Sequence, residues 1–122
     1  MAVSSVRLSA LRLALMVQIV VVLFLALTPR PPPALDLGWD KLNHLMAFAV
    51  MACTGILGFA LRWRLVGVGL LAYGMLIEWL QSMTPDRQAQ WQDVLANGLG
   101  IILGLCLGAW LVHRHGRRWG LI

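Results

Sequence analysis

The chain has 122 residues, of which 60% are hydrophobic and 12% are charged. A soluble domain of this size needs more polar surface around its core, so the composition excludes a soluble protein and indicates one integral membrane domain. The formal net charge of +5 does not indicate nucleic-acid binding, because the arginines stand in small groups at the ends of apolar runs, as in membrane proteins.

The first apolar run covers about residues 8–27; Arg7 precedes it and Arg12 lies within it. Its length suits one helical crossing of a hydrocarbon core about 30 Å thick. A cleaved signal peptide is the alternative, because Ala26, Leu27 and Thr28 form a weak small-x-small cleavage site. The run is long for a signal peptide, so we expect a retained helix. Residues 28–40 contain a Pro run that predicts a stiff, extended external loop.

Three further apolar runs follow, at about residues 42–61, 65–83 and 94–112. Each is long enough to cross the membrane as a helix, and lipid offers no partner for the open edge of a sheet. The sequence therefore predicts an all-α, polytopic membrane protein, a bundle of four transmembrane helices that forms a single domain over residues 1–122. Residues 113–122 are predicted to be a basic cytoplasmic tail. Cys53 and Cys106 lie inside apolar runs and behave there as small hydrophobic residues.

The distribution of Lys and Arg predicts the orientation of the bundle. With four spans, seven arginines lie on one side, and Arg30, Lys41 and Arg87 lie on the other. Basic residues are enriched in cytoplasmic segments, so both termini are expected in the cytoplasm. The tail residues His113 and His115 could bind a metal, but a basic patch for anionic lipid is the better interpretation. Trp39 and Trp91 fall at the depth where indole rings usually settle.

Polar residues converge on the outward ends of three predicted helices. They are Asp40, Lys41 and His44 at the start of the second helix, Glu78 and Gln81 at the end of the third, and Asp93 and Asn97 at the start of the fourth. The spacings of three and four residues place the members of each group on one helix face. Asp40 and Asp93 also suit the first turn of a helix, where a carboxylate satisfies free N–H groups.

A glycine stripe continues the face of Asp93 and Asn97 along the fourth helix. Gly100, Gly104 and Gly108 recur every four residues, and small residues at this spacing let a neighbouring helix approach closely. We therefore interpret the three glycines as helix-packing residues. The same stripe could also serve a homo-oligomer.

Glu78 is the residue of the predicted polar group that is most costly to place in the membrane. It lies about one turn inside the third helix, where a carboxylate is costly and needs a partner. Arg87, Lys41 and His44 are the available cations. Two interpretations stay open: a structural cluster of ion pairs and hydrogen bonds that ties helix ends together, or a functional polar pocket that opens outward.

The segments "DKLNHLMAF" and "IEWLQSMTPDRQAQWQDVLANGLGIILG" resemble the VanZ-like family of small bacterial membrane proteins. The ordered residues that carry the resemblance span residues 40–104 and are Asp40, Lys41, His44, Glu78, Gln81, Arg87, Asp93, Asn97, Gly100 and Gly104. Two positions depart from the family pattern: Leu45 stands where Phe is frequent, and Gln90 stands where Ser is frequent. A Ser would cap the fourth helix, so the start of this helix is expected to be looser.

The resemblance implies a bundle of about four transmembrane helices in the bacterial cytoplasmic membrane and a link to resistance against glycopeptides, chiefly teicoplanin. It implies no settled reaction. The first hypothesis is therefore a non-enzymatic envelope protein. In it, Arg87, Lys41 and His44 meet the headgroup of a cell-envelope lipid or peptidoglycan precursor, and Glu78, Asp93 and Asn97 hold these donors in place.

Two further hypotheses stay open. The first is a membrane-embedded enzyme in which His44, beside Asp40, is a general base and Glu78 an acid. Ser82 and Thr84 are the nearest hydroxyls, so no catalytic residue is assigned. The second is a structural subunit or a small proton-coupled transporter. No cofactor and no metal are expected, although His44 with Glu78 and Asp93 could in principle hold a cation.

Overall fold

The computed structural model describes residues 2–29 and 40–122. They form four helices and, over these residues, no β-strand. The helices are α1 (Ala2–Leu27), α2 (Asp40–Gly58), α3 (Trp63–Ser82) and α4 (Trp91–Trp119). The predicted all-α bundle of four helices is confirmed. Most of the predicted loop over residues 28–40, with Arg30 and Trp39, lies outside the described residues.

All four helices are long and apolar enough to cross a membrane, judged by length and composition. Large apolar side chains are exposed on each of them, for example Phe24, Val50, Val68 and Ile102. A core of eight buried residues lies inside: Leu15, Phe48, Met51, Ala52, Val66, Leu70, Ile77 and Ile101. Apolar residues on both the inside and the outside are what a bundle surrounded by lipid requires.

The closest helix pair is α2 with α4, which share the most extensive contacts in the bundle. All three glycines of the stripe are buried in this interface. A Cβ atom on Gly104 would collide with the carbonyl oxygen of Ala49 and lie 2.8 Å from Cβ of Ala52. Gly100 meets the backbone of Leu45 in the same way. Because the two backbones touch, the polar residues at the head of α4 come close to those at the head of α2.

The C-terminal ends of α2 and α4 lie several residues from the predicted boundaries. Helix α2 ends at Gly58, because Ala60 and Leu61 adopt left-handed conformations with φ of 50° and 64°. Leu61 N then donates to Ile56 O, which satisfies a carbonyl left free at the helix end. Helix α4 continues to Trp119 and is closed by Gly120 at φ 65°. Residues 113–119 are therefore helical, although the sequence predicts a tail there.

The first helix is held to the bundle by polar contacts along its length. Near the chain ends, Arg7 Nη1 donates to Trp119 O at 2.5 Å, so both ends of the described chain lie at the same end of the bundle. Arg12 Nε donates to Gly58 O, and Gln18 Nε2 donates to Thr54 Oγ1. Tyr73 Oη donates to Ile19 O at 2.6 Å. Helix α1 is thus fixed against both α2 and α3.

Candidate functional site

Six of the eight predicted polar residues meet at the bundle end where α2 and α4 begin and α3 ends. We call these residues the polar cluster: Asp40, Lys41, His44, Glu78, Asp93 and Asn97. Four of them are buried, with Asp93 and Asn97 each 1% exposed. Asp40 and Lys41 lie at the rim, with side chains 55% and 30% exposed. The cluster therefore has a buried floor and an accessible edge.

A hydrogen bond between His44 and Asn97 joins α2 to α4 inside the cluster. The atoms His44 Nδ1 and Asn97 Oδ1 are 2.8 Å apart, and the pair is buried. An amide oxygen can only accept, so the imidazole carries its proton on Nδ1. In the neutral ring, Nε2 then bears a lone pair. This Nε2 lies 3.7 Å from Asp40 Oδ2, so it faces the rim of the cluster.

Glu78 connects the end of α3 to the beginning of α4. Its Oε2 accepts a hydrogen bond from the backbone N–H of Gln90 at 3.2 Å, and Gln90 is the N-cap residue of α4 with no side-chain cap of its own. The carboxylate thus meets the positive end of a neighbouring helix dipole. Because Glu78 lies near the C-terminus of α3, the negative end of that helix dipole destabilises its carboxylate. The positive end of the α4 dipole compensates for this cost.

Lys41 supplies positive charge at the rim. Its Nζ donates to Gln90 Oε1 at 2.9 Å and lies 3.6 Å from Asp93 Oδ1. The cluster contains three carboxylates against this one ammonium, which leaves a formal surplus of two negative charges when His44 is neutral. This negative charge disfavours the binding of a simple anion.

Arg87 and Gln81 serve a different part of the bundle. Arg87 donates to Thr28 O at 2.7 Å and to Leu25 O at 2.8 Å, and Gln81 Nε2 donates to Ala26 O at 2.9 Å. The last carbonyls of α1 lack intrahelical donors and carry the negative end of its dipole, so they attract a guanidinium. The hydrogen bonds of Arg87 and Gln81 therefore go to the end of α1, and among the described residues Glu78 is not the partner of Arg87 that the sequence suggested.

Several polar atoms on the cluster floor have no hydrogen-bond partner among the described residues. They are Glu78 Oε1, Asp93 Oδ1 and Asn97 Nδ2. Glu78 Oε1 lies 3.9 Å from His44 Nδ1, which is too far for a hydrogen bond. Buried polar atoms without partners each cost about 1–3 kcal/mol. Three of them in one place indicate a site that something else completes.

One set of potential metal ligands lies within the cluster. Asp40, His44 and Asp93 each offer one ligand atom, and these atoms all lie within 4.8 Å of one another. The cation group envisaged from the sequence combined His44 and Asp93 with Glu78. Among the described residues, the third member of this set is Asp40 rather than Glu78.

Two residues of the site were not singled out by the sequence. Gln90 joins Lys41 and Glu78, as described above, although the sequence marks it only as a departure from Ser. Gly74 is buried on α3, where a Cβ atom would lie 2.9 Å from Asn97 Nδ2 and 3.3 Å from the Phe48 ring. Its spacing of four residues before Glu78 was the available signal, since it places both residues on one helix face.

The nearest hydroxyl groups are engaged within their own helix end. Ser82 Oγ donates to Trp79 O at 2.5 Å, and Thr84 Oγ1 donates to Leu80 O at 2.8 Å. Both hydrogen bonds are the ordinary local ones that Ser and Thr make to preceding carbonyls. These contacts give neither hydroxyl the arrangement of an activated nucleophile, which needs an adjacent base.

Comparison with known proteins gives one family. No curated protein and no solved structure matches the chain. The family model described as VanZ/LLP1 matches residues 4–112, which includes all of the polar cluster and the glycine stripe. With four helices able to span a membrane and a match over most of its length, the chain is a multi-pass membrane protein that belongs to the VanZ-like family.

Proposed function

We propose that this protein binds the polar headgroup of a bacterial cell-envelope lipid at the polar cluster. The observation that carries the proposal is a set of buried atoms beneath the exposed rim that have no hydrogen-bond partner among the described residues: Glu78 Oε1, Asp93 Oδ1 and Asn97 Nδ2. A purely structural cluster gains stability by satisfying its own polar atoms. A binding site keeps such atoms available for a ligand.

The depth of the cluster supports a headgroup rather than an acyl chain. Trp79 follows Glu78 directly, and Trp91 opens α4 two residues before Asp93; these indoles are 60% and 68% exposed. Exposed tryptophans concentrate at the boundary between hydrocarbon and headgroups. The cluster therefore lies at the level at which headgroups of the surrounding lipids are found.

The chemistry of the cluster favours a headgroup rich in hydrogen-bond donors. Its unpartnered oxygens are acceptors, and its formal charge is negative, while Arg87 is bound to α1. Sugar hydroxyls and peptide N–H groups match these acceptors, and both occur in the headgroup of a peptidoglycan precursor. A headgroup held in this way would be less accessible to a glycopeptide such as teicoplanin, which gives the proposal a cellular consequence.

We also propose that the cluster faces away from the cytoplasm, in the cytoplasmic membrane. Seven of the ten Lys and Arg residues belong to the end of the bundle that contains the chain termini or to the connection between α2 and α3. The contact between Arg7 and Trp119 supports a common side for both termini. The positive-inside rule then places these basic segments in the cytoplasm.

A direct binding experiment tests the headgroup proposal. The full chain is reconstituted in nanodiscs of phosphatidylglycerol, and binding of an added lipid-linked disaccharide peptide is measured by native mass spectrometry. We expect Asp40→Ala and Lys41→Ala to weaken binding about tenfold or more each, as for hydrogen bonds to charged groups. Both side chains lie at the exposed rim rather than on the buried floor.

Arg64→Ala is the matched control, because Arg64 is an exposed cation at the opposite end of the bundle. Its binding should equal that of the unmodified protein. Absence of binding by the unmodified chain contradicts the proposal, as does equal binding by Asp40→Ala and Lys41→Ala. In cells, the teicoplanin susceptibility of Asp40→Ala should match that of a strain without the protein, at equal protein abundance.

A further inference from the structure

We propose that the polar cluster binds a divalent transition-metal ion, Zn²⁺ or Mn²⁺, through Asp40, His44 and Asp93. The proposal goes beyond headgroup binding and is argued from these residues alone. It also departs from the sequence-based expectation that no metal is bound. A set of one imidazole and two carboxylates, with positions left for water, is a common donor set for such ions.

The orientation of His44 is that of a metal ligand. Its Nδ1–H is held by Asn97 Oδ1 at 2.8 Å, which leaves the lone pair of Nε2 directed at the rim. Histidines that bind metals almost always donate their other ring N–H to a carbonyl or carboxylate, and this bond fixes the tautomer and the ring orientation. Asn97 is therefore a positioning residue for His44.

Positive charge stabilises the contact between His44 Nε2 and Asp40 Oδ2, and either a proton on Nε2 or a bound cation supplies it. In this tautomer both atoms carry lone pairs, yet they face each other across 3.7 Å. Two ligand atoms bound at about 2.1 Å to one tetrahedral ion are about 3.4 Å apart. The observed separation therefore accommodates an ion after a small side-chain adjustment. The three ligand atoms all lie within 4.8 Å of one another. Rotation of the exposed Asp40 side chain brings them to the shorter distances that one ion requires.

Asp93 gives an independent indication of a ligand. Its side chain is 1% exposed, and its Oδ1 is buried without a hydrogen-bond partner among the described residues. Lys41 Nζ lies 3.6 Å from this oxygen, within ion-pair distance, and donates its hydrogen bond of 2.9 Å to Gln90 Oε1. A buried carboxylate oxygen without a hydrogen bond is costly, and a proton or a closely bound cation stabilises it.

The charge balance of the cluster fits one divalent ion. With all three carboxyl groups ionised and His44 neutral, Asp40, Glu78 and Asp93 contribute three negative charges and Lys41 one positive charge, which leaves two negative charges. A divalent cation neutralises them without displacing the hydrogen bonds that Glu78 and Asn97 make to Gln90 and His44. Glu78 Oε1 remains close to His44 Nδ1, at 3.9 Å, and supports the same ring orientation.

The test is metal binding to the purified full chain, without any lipid-linked ligand. The protein carries a histidine-free tag, is stripped with a chelator, and is titrated with Zn²⁺ and Mn²⁺ by calorimetry. We expect about one ion per chain, as a single three-residue ligand set predicts. Asp40→Asn and His44→Gln should each reduce affinity at least tenfold. Asn97→Leu should reduce it by about 10- to 100-fold through the orientation of His44.

Lys41→Met gives a prediction of opposite sign. Removal of the ammonium that stands 3.6 Å from Asp93 Oδ1 should raise metal affinity, whereas a site unrelated to the cluster would not respond. The double variant His113→Gln/His115→Gln controls for the exposed histidines at the end of α4 and should bind as the unmodified chain does. Thermal unfolding of each variant without metal separates loss of ligands from loss of fold.

Three results would overturn the metal site: no saturable binding by the unmodified chain, unchanged affinity in folded Asp40→Asn and His44→Gln, or loss of binding in the His113/His115 variant. Since no headgroup is present in the titration, these results are independent of those from the nanodisc experiment. Metal binding without headgroup binding supports only the metal site, and the reverse result supports only the headgroup proposal.

Discussion

The backbone N–H of Gln90 donates to Glu78 Oε2 over 3.2 Å, so an acid from the last turns of α3 caps the first turn of α4. Gln90 lacks a capping bond from its own side chain. The side chain of a Ser at this position would accept from an N–H in the first turn of α4, whereas Glu78 binds the N–H of Gln90 itself from another helix. The head of α4, and with it Asp93 and Asn97, is therefore positioned by tertiary structure.

This relationship predicts the behaviour of two Glu78 variants. Glu78→Ala removes the acceptor, and loss of an N-cap bond costs about 1–2 kcal/mol. The amide of Gln90 should then exchange with solvent about 5- to 30-fold faster. Glu78→Gln keeps an acceptor oxygen of the same reach and should retain slow exchange. Hydrogen exchange read by mass spectrometry measures both, and equal exchange in Glu78→Ala and the unmodified protein contradicts the cap.

Arg87 should control the attachment of the end of α1. Arg87→Gln removes the guanidinium bonds to Leu25 O and Thr28 O, so we expect faster hydrogen exchange over residues 24–28 and a free energy of unfolding lowered by about 1–3 kcal/mol. Arg64→Gln is the matched control and should change neither quantity. If Arg87 were instead the partner of Glu78, the segment of α1 would be unaffected and the amide of Gln90 would respond.

The glycine stripe predicts opposite effects for two substitutions in the same helix. In Gly104→Ala, the added Cβ meets the carbonyl oxygen of Ala49, and overpacking of this kind costs about 1–3 kcal/mol or more. In Gly98→Ala, a Cβ has no neighbour within 4 Å, so the better helix propensity of Ala should stabilise by up to about 1 kcal/mol. Equilibrium unfolding in mixed detergent micelles measures both, and equal effects would contradict close packing of α2 on α4.

The proposed orientation predicts which bundle end is accessible from outside the cell. In a background with Cys53→Ala and Cys106→Ala, Gln88→Cys places a thiol beside the polar cluster and Arg64→Cys places one at the opposite end. A membrane-impermeant maleimide should label only Gln88→Cys in intact cells and both variants after lysis. The reverse pattern in intact cells would mean that the bundle is inserted the other way round.

Helical spacing predicted much of the polar cluster. Intervals of four residues place His44 beside Asp40 and Asn97 beside Asp93, and the glycine stripe indicates the face on which α4 meets another helix. The partner of each polar atom depends instead on which helix ends become neighbours. Arg87 binds the end of α1 rather than Glu78 because the carbonyls of Leu25 and Thr28 lie within its reach. Sequence spacing within one helix has no information about that neighbour.

The ends of α2 and α4 also depend on features that the sequence does not reveal. The apolar run predicted up to residue 61 includes Ala60 and Leu61, whose left-handed conformations end α2 at Gly58. Neither residue type signals such a turn, since Gly or Asn is usual there. The basic residues after Val112 suggested a tail, but a helix that extends beyond the hydrocarbon layer can continue with polar residues, as α4 does.

The bonds that α3 and the following turn make to α1 all end on main-chain oxygens, those of Ile19, Leu25, Ala26 and Thr28. A carbonyl oxygen is present whichever apolar side chain its residue carries. The outer surface of α1 can therefore accumulate substitutions among Leu, Val, Ile and Phe without loss of these bonds. We expect a saturation mutagenesis map to be permissive for apolar substitutions on the exposed face of α1 and restrictive at Tyr73, Gln81 and Arg87, which supply the donors.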